Sequence, residues 1–347
     1  MKNIILTCFI LSILFKTGNV LSNNNIFNVN NVEISVKNSK NKEKLVNQAF
    51  REGFIRLTKR LLLDEDYNKT SDLNLSEIKN FISYYQILDS KKNENEDQST
   101  AVNIFFDKDR LHKFFYEKNI LYSDIINTEV ILFPLLKKDN QYFIYSSNFF
   151  YSSWNDKVDD DLIQYTLPAE NIENIQIINT NKENIYKLDI SLFFKEYENN
   201  NVVFAYIEVG KEKAEVFLNT RVEGKKINKR LLLKKSDMSE NDFNEEIISQ
   251  TSNLIKDLIK SQNLIDVRTP SFLNAEIKLN KKNSLIEFNN RVKDIDLIDK
   301  YYVQKLNKDY VLVKIKYLGK IDKIINKLKD QKISLKMVNG QWLLNII

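Results

Sequence analysis

Glycine, proline, histidine and cysteine are scarce in this chain of 347 residues, and each scarcity removes a class of chemistry. There are six glycines, three prolines, one cysteine and one histidine. The closest two glycines, Gly210 and Gly224, stand fourteen residues apart. Loops that cradle phosphate need clustered glycines, so that backbone N–H groups can approach the anion. A P-loop and a dinucleotide fingerprint are therefore absent. So is the nucleophile elbow, which flanks a serine with glycines. A Ser-His-Asp or Cys-His site would have to use His112. Leu111, Phe114 and Phe115 mark the buried stripe of a helix, and His112 lies off it, which predicts a surface residue without a catalytic role. With one histidine and one cysteine, zinc has no ligand set. Asp156, Asp159, Asp160 and Asp161 form the densest acidic cluster, but they lack the glycine and spaced ligands of a calcium loop and read as a solvated segment. No metal and no cofactor is expected.

The beginning of the chain is more informative. Met1-Lys2-Asn3 is followed by an almost wholly apolar run over residues 4–15. A membrane-spanning helix needs roughly 20 such residues, so the run has the length of a signal-peptide core instead. Residues 16–19 break the pattern, and Val20-Leu21-Ser22 suits cleavage after Ser22, the alternative being an uncleaved anchor held by Lys16. Cys8 lies inside the apolar run, ahead of the place a lipidated cysteine takes, so lipidation is not expected. The mature chain then holds no cysteine, no disulfide and no stable membrane span. A periplasmic location follows as the expectation.

Composition points away from nucleic acid. The net charge is +5, and losing Lys2 and Lys16 leaves +3. Lys and Arg are read as offset by Asp and Glu along the chain. At 43% apolar and 11% aromatic residues, the chain can build substantial cores.

Hydrophobic periodicity divides residues 23–347 into three packed sub-domains of an α+β protein. Residues 23–120 read as β-α-α-β-β-α, with a long helix over 42–63 whose stripe is Val46, Phe50, Phe54, Leu57 and Leu61. Residues 121–268 open with an apolar run, 129–136, fit for a strand buried on both faces. Helices are expected over 168–178 and 182–197, then strands over 202–209, 215–222 and 227–233. A helix capped by Ser239 and Asp242 follows. Residues 269–347 follow the order β-α-β-β-α-β plus one strand, a ferredoxin-like pattern. Asn339-Gly340 is the strongest hairpin signal in the chain.

Several stretches in fixed order carry a resemblance. Arg51 to Leu63, Phe105 to Ile120, Ile131-Leu132-Phe133-Pro134-Leu135, Asn148, Phe150 and Trp154, Tyr317-Leu318-Gly319 and Trp342 together resemble an exported proteobacterial family catalogued as domain of unknown function 2066. The resemblance runs from about Val32 to the end. In that family the aromatic stretch reads Asn-Pro-Trp with a second Trp four residues on; here Phe149 replaces the Pro and Phe150 the first Trp. The middle sub-domain also resembles the small α/β domains of the curli-secretion lipoprotein and of the lipoproteins that activate penicillin-binding proteins. Those relatives act by binding proteins, and fold-level likeness implies the same here only by analogy.

The expected function is a non-catalytic binding or assembly factor of the bacterial envelope, with a protein partner and no enzymatic role. The alternative is a carboxylate-dependent envelope enzyme such as a glycan hydrolase, which would hold two acids across a cleft. Asn148, Phe149, Phe150 and Trp154 are the candidates for a partner surface, because aromatic loop residues dominate binding hot spots.

Overall fold

The structure is a computed structural model. It describes residues 25–35, 42–88, 91–92, 98–158, 162–279, 284–293 and 295–347. The segment read as the export signal, residues 1–22, and Asp159, Asp160 and Asp161 of the acidic cluster lie outside the described residues. The fold is α+β, with helices packed on several mixed or antiparallel sheets.

The N-terminal part runs β1 (Asn28–Ser35), α1 (Lys42–Leu61), α2 (Asp64–Ser71), α3 (Leu75–Asn80), β2 (Ile82–Ile87), β3 (Lys91–Lys92), β4 (Gln98–Phe106) and α4 (Lys108–Lys118). Its sheet is antiparallel in the order β1-β4-β2, with β3 also on β4. α1 buries Val46, Ala49, Phe50, Phe54, Leu57 and Leu61, which share one helical face. Gly53 lies on that face. A Cβ there would press on the terminal methyl of Ile104 in β4, a side-chain end that could turn aside, while no sheet backbone comes within 3.6 Å. The sequence pattern carries this helix to residue 63, yet it stops at Leu61. Lys260, wholly buried, donates to the carbonyl oxygens of Lys59 (2.7 Å) and Leu62 (2.6 Å), so a side chain from the middle part satisfies the helix end. α2 has no counterpart in the sequence reading. It opens on Asp64, Glu65 and Asp66, carboxylates that favour the positive end of the helix dipole.

The short strands β5 (Tyr122–Ser123) and β12 (Leu264–Ile265) pair with each other, so the chain enters and leaves the middle part at one neck. Between them lie β6 (Thr128–Lys138), β7 (Gln141–Phe143), α5 (Phe149–Lys157), β8 (Ile163–Thr166), α6 (Ile172–Thr180), β9 (Asn201–Val209), β10 (Lys213–Val222), β11 (Lys225–Lys234) and α7 (Glu240–Ser261). The sheet order is β11-β10-β9-β6-β7, with β8 parallel to β6. Residues 130–136 of β6 are all buried, because the sheet is covered on both faces. α5 and α7 cover one face. On the other, α6 starts at Ile172, capped by Asn171, later than Pro168 suggests. The helix expected over 182–197 is instead three short 3₁₀ turns, Lys182–Lys187, Ile190–Leu192 and Lys195–Tyr197. Leu188 is extended and Asp189 caps Ser191, so the local side chain restarts the chain there. The buried Ile185, Leu188, Ile190, Phe193 and Phe194 are spaced too irregularly for one α-helical stripe.

The C-terminal part runs β13 (Ser271–Lys278), α8 (Ser284–Val292), β14 (Ile298–Leu306), β15 (Tyr310–Tyr317), α9 (Ile321–Asp330), β16 (Ile333–Val338) and β17 (Gln341–Ile346). The sheet order is β14-β15-β13-β17-β16. The extra strand β17 is inserted between β13 and β16 and runs parallel to β13, which separates the two strands a plain ferredoxin-like sheet would pair. Asn339 and Gly340 hold φ values of 51° and 80°, as the turn of this last hairpin requires. The first and third parts repeat one topology, strand-helix-strand-strand-helix with the third long strand between the other two. Their apolar cores form one continuous cluster that includes Tyr122 and Ile265 of the neck.

Candidate functional site

The aromatic stretch after β7 is folded inward. Tyr145, buried, takes a φ of 54°, a left-handed conformation uncommon for an aromatic residue, and turns the chain toward α5. Its hydroxyl accepts from Asn174 Nδ2 at 3.0 Å. Asn148 is fully buried and does two jobs. Its Oδ1 accepts from the N–H of Phe150 at 2.9 Å, capping α5, and its Nδ2 donates to the carbonyl of Pro134 at 2.9 Å.

The second bond explains a proline in a central strand. β9 occupies one edge of β6, so β7 and β8 share the other, pairing with residues 136–138 and 128–131. Among the described residues, no strand pairs with 132–135 on that edge. The N–H and C=O of one strand residue point to the same side, so the position where Pro134 lacks a donor faces this gap. Asn148 supplies the partner that its carbonyl needs.

Three of the four partner-surface candidates therefore belong to the interior. Asn148, Phe150 and Trp154 have no exposed area. Trp154 meets the edge of Tyr165, with ring centroids 5.7 Å apart, and Tyr165 shares a hydrogen bond with Ser252 of α7. The expectation of an exposed aromatic loop is corrected for these residues: the stretch is a helix whose i, i+4 face, Phe150 and Trp154, packs under α7. Phe149 alone reaches the surface. It lines an open cavity of about 250 Å³ with Leu136, Phe143, Val209, Ser147 and Asn244, and the ion pair Lys138–Glu240 (2.5 Å) stands at the same site.

His112 is also corrected. It is half-buried, not a surface residue, and its Nε2 lies 3.1 Å from the hydroxyl of the buried Tyr122. Its ring meets Phe27 edge-on at 5.5 Å. Burial and, after it, the positive charge of Lys108 bring its pKa down to about 4. The helix stripe missed it because the covering residue, Tyr122, comes from the neck strand β5.

Two other titratable clusters each contain an ion pair. On the far face of the middle sheet, Glu208 accepts from Lys137 (3.0 Å), Tyr206 (3.2 Å) and Tyr186 (3.4 Å). Burial, reinforced by Glu208, raises the Tyr206 hydroxyl far above its usual range. A cleft between the middle and C-terminal parts, about 250 Å³, is lined by Asp124, Glu223, Asp330, Asn263, Lys323 and Lys327, and Asp124 is ion-paired with Lys323. Among the described residues no group of three or more His, Cys, Asp and Glu side chains could hold a metal ion. No helix among them is long and apolar enough to cross a membrane.

Among the described residues, nothing forms a second layer on the outer face of the C-terminal sheet. The helices α8 and α9 cover only the side bearing Leu273, Ala275, Ile277, Val311, Val313 and Ile315. On the other side, Phe272 is 53% exposed and Tyr302 50%. The strand register places Lys300 opposite Lys316, Tyr302 opposite Lys314, Phe272 opposite Lys316 and Lys336 opposite Leu343. This concentration has a signal in the sequence that a chain-wide net charge hides. Residues 269–347 hold sixteen Lys and Arg against eight Asp and Glu, a net +8, while the remaining thirty-six against thirty-nine give −3.

No family model matches the chain. No curated protein matches it. Among solved structures it is similar to a chain described as "Crystal structure of uncharacterized protein", at 12% identity, over 40% of this chain and 93% of that one. The TM-score of 0.16 is too low for the likeness to support any conclusion.

Proposed function

We propose that this protein is an exported periplasmic binding or assembly factor of the bacterial cell envelope, without catalytic activity, allied to the exported proteobacterial family of unknown function 2066. The family reading rests on the ordered sequence stretches alone. The observation that carries the binding role is the cavity at Phe149. Leu136, Phe143, Phe149 and Val209 give it an apolar side, and Ser147, Asn244 and the Lys138–Glu240 ion pair a polar one. A hollow that sets aromatic and aliphatic side chains beside placed polar groups can seat a partner's side chain. The test is a photo-crosslinking residue at position 149 in intact cells. It should capture a discrete envelope protein, and Phe149→Ala should abolish its recovery by affinity pull-down without lowering the melting temperature. Recovery unchanged by Phe149→Ala would sink the role of this pocket. Full-length chain remaining in the cytosol on fractionation would sink export.

A second reading, a carboxylate-dependent envelope enzyme, has support in the cleft lined by Asp124, Glu223 and Asp330. Glu223→Gln and Asp330→Asn should each abolish glycan cleavage if that reading holds; cleavage that survives both excludes it.

A further inference from the structure

We propose that the uncovered face of the C-terminal sheet is a docking face for an anionic phospholipid bilayer. Four strands bring Lys278, Lys300, Lys305, Lys314, Lys316 and Lys336 to this one face, against the carboxylates of Glu276 and, beside Lys316, of Asp299. Like charges placed directly opposite each other, as Lys300 and Lys316 are, destabilise a sheet. Asp299 offsets part of this, bonding Lys316 at 2.6 Å. Lys314 has an aromatic partner instead, its Nζ 4.5 Å from the centre of the Phe272 ring. The face thus keeps a repulsive arrangement that an anionic surface would relieve.

The kind of anion follows from three features. Every cation on the face is lysine, a point charge without the planar fork that arginine uses for bidentate recognition, which suits a diffuse array of headgroups. The face is broad, five strands about 4.8 Å apart. Between the lysines stand Phe272, Tyr302, Leu312 and Leu343, side chains that can settle among headgroups while the ammonium groups stay in water. The net −3 of residues 1–268 opposes the net +8 of residues 269–347, so an anionic surface attracts the C-terminal part of the molecule first. The choice of a bilayer over nucleic acid rests on the export reading above; the bilayer contact itself uses a different surface from the Phe149 pocket.

The test is co-sedimentation of the full chain with vesicles of phosphatidylcholine alone and of phosphatidylcholine with phosphatidylglycerol, at low and high salt. Both proteins compared carry residues 1–22, so the contribution of that segment is common to them. Wild type should bind the phosphatidylglycerol vesicles at least about tenfold more tightly, an advantage that salt removes. The triple variant Lys300→Glu, Lys314→Glu, Lys336→Glu should bind them about 100-fold more weakly. Should circular dichroism show that variant unfolded, Phe272→Ser with Tyr302→Ser replaces it, and should weaken binding several-fold at high salt. Equal binding to both vesicles, or a folded variant that binds as wild type does, overturns the proposal. So does a single-stranded oligonucleotide that binds more tightly than the vesicles and is lost in the same variant. Selective vesicle binding by a chain that fractionates in the cytosol would refute export and still support the bilayer contact.

Discussion

At the scale of single residues, His112 shows how a lone ionisable group becomes structural. Its ring sits against Phe27 and Tyr122, and its pKa is lowered to about 4 from an ordinary 6.5, first by burial and then by Lys108, with Asp299 acting in the opposite direction. The unfolded chain therefore binds a proton between about pH 6.5 and 4 that the native state does not, so stability falls as pH is lowered through that window. The loss should reach about 2–3 kcal/mol by pH 4, given the partial exposure of the ring. Urea denaturation at pH 7 and pH 4 measures it, and His112→Phe should remove most of the difference. Trp154 poses a related question about a polar group inside. Its indole N–H has no hydrogen-bond partner among the described residues. Trp154→Ala should cost about 3–5 kcal/mol through lost burial and a cavity, whereas Trp154→Phe should cost less, since it also removes the unpaired donor. Chemical denaturation of the two variants decides; equal losses would mean that the N–H is satisfied.

Among the elements, the last hairpin and the interrupted strand edge are set by different causes. At Gly340 a Cβ would meet nothing within 4 Å, yet φ is +80°. Gly340→Val should therefore destabilise by backbone strain alone, on the order of 1–3 kcal/mol. Thermal unfolding should register it, and a neutral variant would show that the turn can be rebuilt. This hairpin is legible because Asn-Gly encodes its own turn. The edge of β6 is not, because Pro134 and Asn148 find each other only after β7 and the 3₁₀ turn at Tyr145–Ser147 have reversed the chain. The segment over 182–197 fails for the same kind of reason: its apolar residues fill the space over β6 and β9, and their positions answer to that sheet rather than to a helical period.

For the whole molecule, the neck between β5 and β12 ties the first and third parts into one apolar core, while the middle part keeps its own cores on the two faces of its sheet. Lys260 bridges the middle part to the end of α1, and Arg268 reaches Asn119 at 2.8 Å. Hydrogen exchange should find the slowest amides of β4 and β15 opening together, as one cooperative unit, with those of β6 and β9 opening separately. Exchange of β4 at the rate of β6 instead would place the cooperative boundary elsewhere.

What the sequence determined by itself is local or periodic. The α1 stripe, the Ser239 cap, the strand buried on both faces and the Asn339-Gly340 turn all follow from spacing and backbone preference, which act over a few residues. The α+β class follows from their order. The tertiary structure decided what lies between elements distant in the chain. It buried Asn148, Phe150 and Trp154 beneath α7, leaving Phe149 at a surface. It drew His112 under Tyr122, threaded β17 between β13 and β16, and gathered lysines from four strands onto one open face. A side chain's exposure depends on what packs against it, and for these residues that partner comes from elsewhere in the chain.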